Sequence, residues 1–421
     1  MRSYIGRLFS WGETFTRIDL RYLMKGGFWL GIGRGISAFI GLLLAVAFAN
    51  LLDPTQYGVY KFTLSLASFL WAFSLTGMPS ALTRAVAQGK HGTLSKAAQA
   101  QMLWSGLITV GALLIALYYF ANGNQTLATA LLFIGVFSPF IKTGDLFNAF
   151  LTGTRAFKTK TVFGIFRDLL PALSLITALF LTNNPVILIA TYCIAHSVAA
   201  LFFFFLTYKK YRGGDTDETV IGDAKHLSLI NVLGKAAVEV DKILLFHYFG
   251  AATLATYAFA YAPVIQLQGF GTTIKTLASA KLPTRSRDEL RKKLPYKILI
   301  LSVAIVPIVG LYVYTAPYIY IYLFPQYITA VQISQVLALS MLVTFPAILI
   351  RETFIATRHF KPLYITRTIV PIIRLTLLVV LIPPFGIWGA VASLLIPQTF
   401  NLLLLGILFI TMKSPTQPKL T

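Results

Sequence analysis

Apolar runs long enough to cross a bilayer recur along the whole chain, parted by short polar connections. A helix needs about 20 apolar residues to span the hydrocarbon core. On that measure the pattern predicts spans near 26–49, 58–80, 98–119, 126–148, 161–181, 185–207, 227–249, 253–277, 296–323, 328–350, 362–382 and 386–411. A transmembrane β-barrel would alternate apolar and polar residues over about ten positions. Here the runs are unbroken and much longer, so the expectation is an all-α polytopic membrane protein with about 12 transmembrane helices.

The longest polar connection, 208–226, carries Gly213, Gly214, Asp215, Asp217 and Glu218 and follows the sixth span. It divides the chain into an N-terminal six-helix bundle over 26–207 and a C-terminal six-helix bundle over 227–412, with a tail at 413–421. The segment 247–257 weakly echoes 50–60, sharing the terminal tyrosine, Tyr257 with Tyr60. Halves of six spans start on the same side of the membrane and would be parallel repeats with a central cavity between them. Ahead of the first span, Tyr4, Leu8, Trp11, Phe15, Ile18 and Tyr22 recur at steps of three and four between arginines. That spacing predicts a cytoplasmic amphipathic interfacial helix over 1–25.

Charge then orients the ladder. Only 12% of the 421 residues are charged, yet the net charge is +22. Of 36 lysines and arginines, 28 lie at the N-terminus, in every second connection or at the C-terminus. This is the positive-inside pattern, and it predicts a multi-pass protein with both termini cytoplasmic. Anionic lipid headgroups account for the basic excess, and nucleic acid is not an expected partner. Tyrosines at the opposite ends, among them Tyr57, Tyr118 and Tyr318, form an interface belt. No cleavable signal peptide is evident, and Cys193 is the only cysteine, which leaves no intramolecular disulfide.

Eight basic residues escape the pattern: Arg34, Lys61, Lys142, Arg167, Lys235, Lys242, Lys275 and Arg374. Lys61 and Lys275 lie near the span ends and can snorkel. The other six start deeper, where a lipid-facing charge costs about 2.5–3.5 kcal/mol on insertion scales. They must face water, a partner or a substrate. Lys142 and Asp145 are three apart, and Lys235, Glu239 and Lys242 form a plus-minus-plus stripe on one helix. Asp168 adjoins Arg167, and Asp241 lies off the stripe. One reading is a set of structural ion pairs. The other is a hydrated cavity with an anion subsite, for which arginine's planar fork suits phosphate. No HExxH or GxxxxGK[ST] run occurs, and the five histidines lack ligand spacing, so neither an enzyme, a metal site nor a cofactor is expected.

Three stretches carry a family resemblance. They are Leu51 to Tyr60, with Asp53, Pro54, Tyr57, Gly58 and Tyr60; Gly77 to Arg84, with Pro79; and Asp241 to Leu245 followed by Tyr257. With them the chain resembles the O-antigen and exopolysaccharide repeat-unit flippases, the polysaccharide branch of the multidrug/oligosaccharidyl-lipid/polysaccharide exporter superfamily. The resemblance covers most of the chain. It implies two bundles working by alternating access in a prokaryotic cytoplasmic (inner) membrane, and a polyprenyl-pyrophosphate-linked oligosaccharide moved from the inner to the outer leaflet. Arg34, Lys142, Arg167, Lys235, Lys242 and Arg374 would bind the pyrophosphate. Asp145, Asp168, Glu239 and Asp241 would pair with them or couple a proton or Na⁺. Membrane lipids, a polysaccharide polymerase and other glycan-assembly proteins are the implied partners. Two alternatives stay open: a cation-coupled multidrug exporter, and a non-transporting scaffold of a glycan-assembly complex.

Overall fold

In the computed structural model, residues 20–269, 271, 275, 287–357, 359 and 361–411 are described. The expected interfacial helix lies outside the described residues but for 20–25, as does the tail at 413–421. Among the described residues there is no strand. The helices are α1 (Leu20–Leu51), α2 (Pro54–Trp71), α3 (Met78–Ala87), α4 (Thr93–Ala121), α5 (Gln125–Gly144), α6 (Leu146–Gly153), α7 (Phe157–Leu181), α8 (Pro185–Lys210) and α9 (Val220–Gln268). They are followed by α10 (Arg287–Leu323), α11 (Ala330–Ala338), α12 (Ser340–Ala356) and α13 (Lys361–Ile410).

Nine helical segments among the described residues are long and apolar enough to cross a membrane. Two of these are interrupted. In α9 the backbone breaks at Gly250 (φ 81°, ψ −177°), and in α13 at Gly386 (φ 55°, ψ −127°). Such angles are open in practice to glycine alone. At Gly386 the chain doubles back, because a methyl group added at Gly389 would strike the Leu381 carbonyl. Each interrupted helix is therefore two helices joined at a glycine. The chain is a multi-pass helical membrane protein. Its lipid face is visible as exposed apolar side chains that water would not tolerate in such number, including Leu103, Leu114 and Leu117 on α4.

The short uncharged connections are built from caps. Asn122 closes α4, Gly123 takes a φ of 76°, and the Asn124 side chain accepts the Leu127 N–H at 3.0 Å to open α5. Asp53 and Asn184 cap α2 and α8 in the same way, each followed by a proline whose missing N–H costs nothing in the first helical turn.

By contacts the chain forms two compact units that part between Ala255 and Thr256. The division expected from span count, at 208–226, comes earlier, because the first part of α9 packs on the helices before it. The Gly77 N–H donates to the Ser228 hydroxyl at 2.9 Å, and the rings of Phe62 and Phe246 stack at 3.8 Å. Gly58 lies so close to Ala251 that any side chain would meet its backbone carbonyl. The polar connection itself is tied down: Asp223 pairs with Arg84, Glu218 with Lys96, and Asp217 with Lys90 at 3.3 Å. The Asp217 N–H also donates to the buried Thr93 hydroxyl at 2.8 Å. Within this unit α4 packs on α5, α5 on α8, and α1 on α7.

The second unit holds the end of α9 and α10–α13. Neutral polar groups are hydrogen-bonded in its core, and the charged Glu352 is buried as well. Tyr320 donates to the Phe259 carbonyl at 2.9 Å, Tyr312 bonds Ser334, and Gln335 donates to the Val313 carbonyl at 2.9 Å. The Phe259 and Tyr327 rings stack at 4.0 Å. A separate apolar cluster joins Leu294, Ile350, Phe354, Leu363, Leu405 and Phe409.

Candidate functional site: a basic chamber in the first unit

Helix α2 turns Lys61, Ser65, Ser68 and Trp71 to one side, at steps of four, three and three. That is a polar stripe of helical period. Facing it are Lys142 near the end of α5 and the Lys235–Glu239–Lys242 stripe of α9. These side chains enclose a hollow of about 360 Å³ lined by Ser68, Trp71, Gln101, Lys142, Asp145, Lys235 and Glu239. A smaller hollow of about 130 Å³ adjoins it, with Lys61, Ser65, Tyr192 and Lys242, and shares Ser68, Trp71 and Glu239. A third, of about 750 Å³, shares Pro79 and Asp145 with the first and reaches Lys160, Arg167 and Asp168. Across the three, six cations (Lys61, Lys142, Lys160, Arg167, Lys235, Lys242) face three carboxylates (Asp145, Asp168, Glu239).

The carboxylates are already engaged. Arg167 holds Asp145 with two parallel bonds, Nε to Oδ1 at 3.0 Å and Nη2 to Oδ2 at 2.7 Å. Its Nη1 reaches Asp168 Oδ1 at 3.1 Å, and the other oxygen of Asp168 accepts from Ser37 at 2.8 Å. Glu239 is held by Lys242 at 2.6 Å. The remaining lysines differ. Lys142 Nζ sits 3.8 Å from the centre of the Trp71 ring, whose N–H is fixed by Ser138 at 2.9 Å. Neither Lys61, Lys142 nor Lys235 has a carboxylate at ion-pair distance among the described residues.

The chain can now be placed among known proteins. The family described as polysaccharide biosynthesis protein matches residues 23–287. The chain belongs to the polysaccharide biosynthesis protein family. No curated protein sequence matches it. Among solved structures, "Lipid II flippase MurJ, inward closed conformation" is similar at a TM-score of 0.70 and 15% identity, over 91% of this chain and 87% of that one. An outward-facing multidrug resistance MATE family transporter of the MOP superfamily gives 0.63 and 14%, over 92% and 94%. A MOP superfamily transporter from Pyrococcus furiosus, described as having a binding pocket of reverse polarity, gives 0.65 and 15%, over 93% and 96%. This family member thus has the fold of those transporters.

Of the residues singled out from sequence, the chamber unites Lys142, Arg167, Lys235, Lys242, Asp145, Asp168 and Glu239. Three others lie elsewhere. Arg34 is exposed on α1 and lines none of the three hollows; Arg374 belongs to the second unit; Asp241 is buried and accepts the Lys242 N–H at 2.8 Å. Two expectations are corrected. The partner of Asp145 is Arg167 on another helix and not Lys142, because α5 ends at Gly144 and Asp145 sits at the junction with α6. Lys61 lines the chamber instead of snorkelling to the rim.

The resemblance residues are structural. Asp53 and Pro54 open α2, Tyr57 and Tyr60 pack on Phe48, and Gly58 and Gly77 permit close approach to α9. Arg84 pairs with Asp223, Pro79 borders two hollows, and Tyr257 is fully buried in the second unit.

Proposed function

We propose that this protein moves polyprenyl-pyrophosphate-linked oligosaccharide repeat units from the inner to the outer leaflet of the cytoplasmic membrane by alternating access. The observation that carries the reading is the set of Lys61, Lys142 and Lys235, cations within an apolar bundle with no carboxylate partner among the described residues. A group that must leave water and gains no protein counter-charge is offset by a substrate that brings one. A pyrophosphate does so. The cationic substrates of a drug exporter would meet repulsion here. Arg167 and Lys242 are occupied by carboxylates, so the subsite is built from lysines and not from the arginine forks.

In this reading Glu239 and Asp145 tune the neighbouring cations, and a proton or Na⁺ that drives the cycle acts on these carboxylates. The even number of spans, the six-and-six division and the cytoplasmic placement of both termini belong to the same proposal, resting on the positive-inside pattern. A polymerase and other glycan-assembly proteins are the expected partners in the membrane.

The test is transport of a fluorescent polyprenyl-pyrophosphate oligosaccharide in proteoliposomes. The Lys142→Gln/Lys235→Gln double variant should be inserted normally and lose about tenfold or more in rate, as expected when two charge-assisted contacts go. Unchanged transport would sink the assignment.

A further inference from the structure

The hollow of about 750 Å³ differs in chemistry from the lysine chamber beside it. Three helices of the first unit each turn a polar face to it at helical spacing. Helix α3 presents Ser80 and Thr83, α6 presents Asn148 and Thr152, and α7 presents Lys160 and Arg167. Its charges balance, two cations against Asp145 and Asp168. No lining side chain is aromatic or a large aliphatic. An acyl chain would find no apolar wall here, and a pyrophosphate would find no net positive field.

What the wall offers instead is a dense set of donors and acceptors at fixed positions. Arg167 spends three of its N–H groups on the two carboxylates, which leaves two of the five such a side chain carries. Thr152 is set by Lys160 at 2.9 Å. Ser80 and Asn148 are exposed to the hollow and make no side-chain hydrogen bond among the described residues. Its volume falls within the roughly 300–1,000 Å³ of ligand pockets. Gly164 forms part of the wall, and a methyl group built there meets no atom within 4 Å.

We infer that this hollow is the glycan subsite: it takes the neutral, polyhydroxylated sugar next to the pyrophosphate held in the lysine chamber. The inference rests on the proposed function and deepens it. Asp145 marks the border, since it lines both hollows. Sugar hydroxyls donate to the remaining lone pairs of the carboxylates and accept from Arg167 and Asn148, which is why a charge-balanced wall suits them. The lipid carrier is left to regions outside this hollow.

The open space at Gly164 supplies the experiment. Gly164→Phe projects a ring from a helical position whose Cβ meets no atom, and Asn148→Leu makes the wall apolar. Transport is measured in proteoliposomes for undecaprenyl pyrophosphate without sugar and for the lipid-linked oligosaccharides extracted from the source cells. Both variants should lower the ratio of glycan-bearing to bare lipid transport by about tenfold, a usual size for pocket discrimination. Lys142→Gln should lower both substrates and leave the ratio unchanged. A ratio unaltered in Gly164→Phe and Asn148→Leu, whether both rates hold or both fall, overturns the subsite. If Lys142→Gln leaves both rates intact, the pyrophosphate reading fails on its own. Gly164→Ala, which adds the methyl alone, controls for folding through its thermal unfolding in detergent.

Discussion

The two units differ in where their charged side chains lie. In the first, charged side chains surround hollows, and the carboxylates among them are tied to Arg167 and Lys242. In the second, Tyr312, Tyr320 and Gln335 make neutral hydrogen bonds, and the charged Glu352 is buried without lining any of the three hollows. A neutral hydrogen bond in the core is satisfied where it stands and asks for nothing further. A cation lining a hollow keeps its demand until something charged arrives. On the proposed function, the first unit is therefore the one that takes the ligand.

Mutations can sharpen or break this contrast. The largest effect is expected for Asp145→Asn, which takes a bidentate partner from a half-buried guanidinium. Thermal unfolding in detergent should show a loss of about 2 kcal/mol, the scale of a bond to a charged group. Tyr320→Phe in the second unit should cost about 1 kcal/mol by the same measurement and leave transport untouched. A transport defect there would move functional chemistry into the second unit.

A smaller effect belongs to the connection outside the spans. The Asp217 carboxyl is held below its ordinary value of 3.8, first by the Thr219 hydroxyl and backbone N–H and then by Lys90. Its folded-state value is depressed, so its contribution is fully present above the unfolded value and fades as pH falls through the lower folded one. Hydrogen exchange in 208–226 should be slower in the unmodified protein than in Asp217→Asn at pH 5. The difference should vanish as acid carries the pH through that lower folded value. The smallest change is expected for Lys235→Gln. It removes a charge that lines the hollow with no ion-pair partner, so unfolding should shift by no more than about a few tenths of a kcal/mol, the scale of substitutions away from packed contacts. A loss matching that of Asp145→Asn would recast Lys235 as a packing residue.

Much of this architecture was legible in the sequence because a bilayer imposes one rule on every span. Run length and the alternation of basic connections expose the ladder directly, and the asparagine and proline caps confirm where its rungs end. Lys142, Lys235, Glu239 and Lys242 stood out because a charge at depth needs a reason. Spacing along one helix is the only geometry a sequence displays, however, and it pairs Lys142 with Asp145. The Arg167–Asp145 fork spans two helices and 22 positions, which no helical period encodes. Lys61 was readable after all: it begins the stripe that continues through Ser65, Ser68 and Trp71. Its nearness to the end of an apolar run hid it. The packing of α9 on the first unit was hidden for a different reason, since Gly58 and Gly77 announce close approach without naming the neighbour.

The three unmatched lysines also bear on the vacant protein. On the proposed function, their standing positive potential draws mobile counter-ions into a low-dielectric cleft, so chloride competes for the place assigned to the pyrophosphate. Loading then becomes an exchange of anions. Raising the halide concentration should weaken substrate capture while leaving the fold intact.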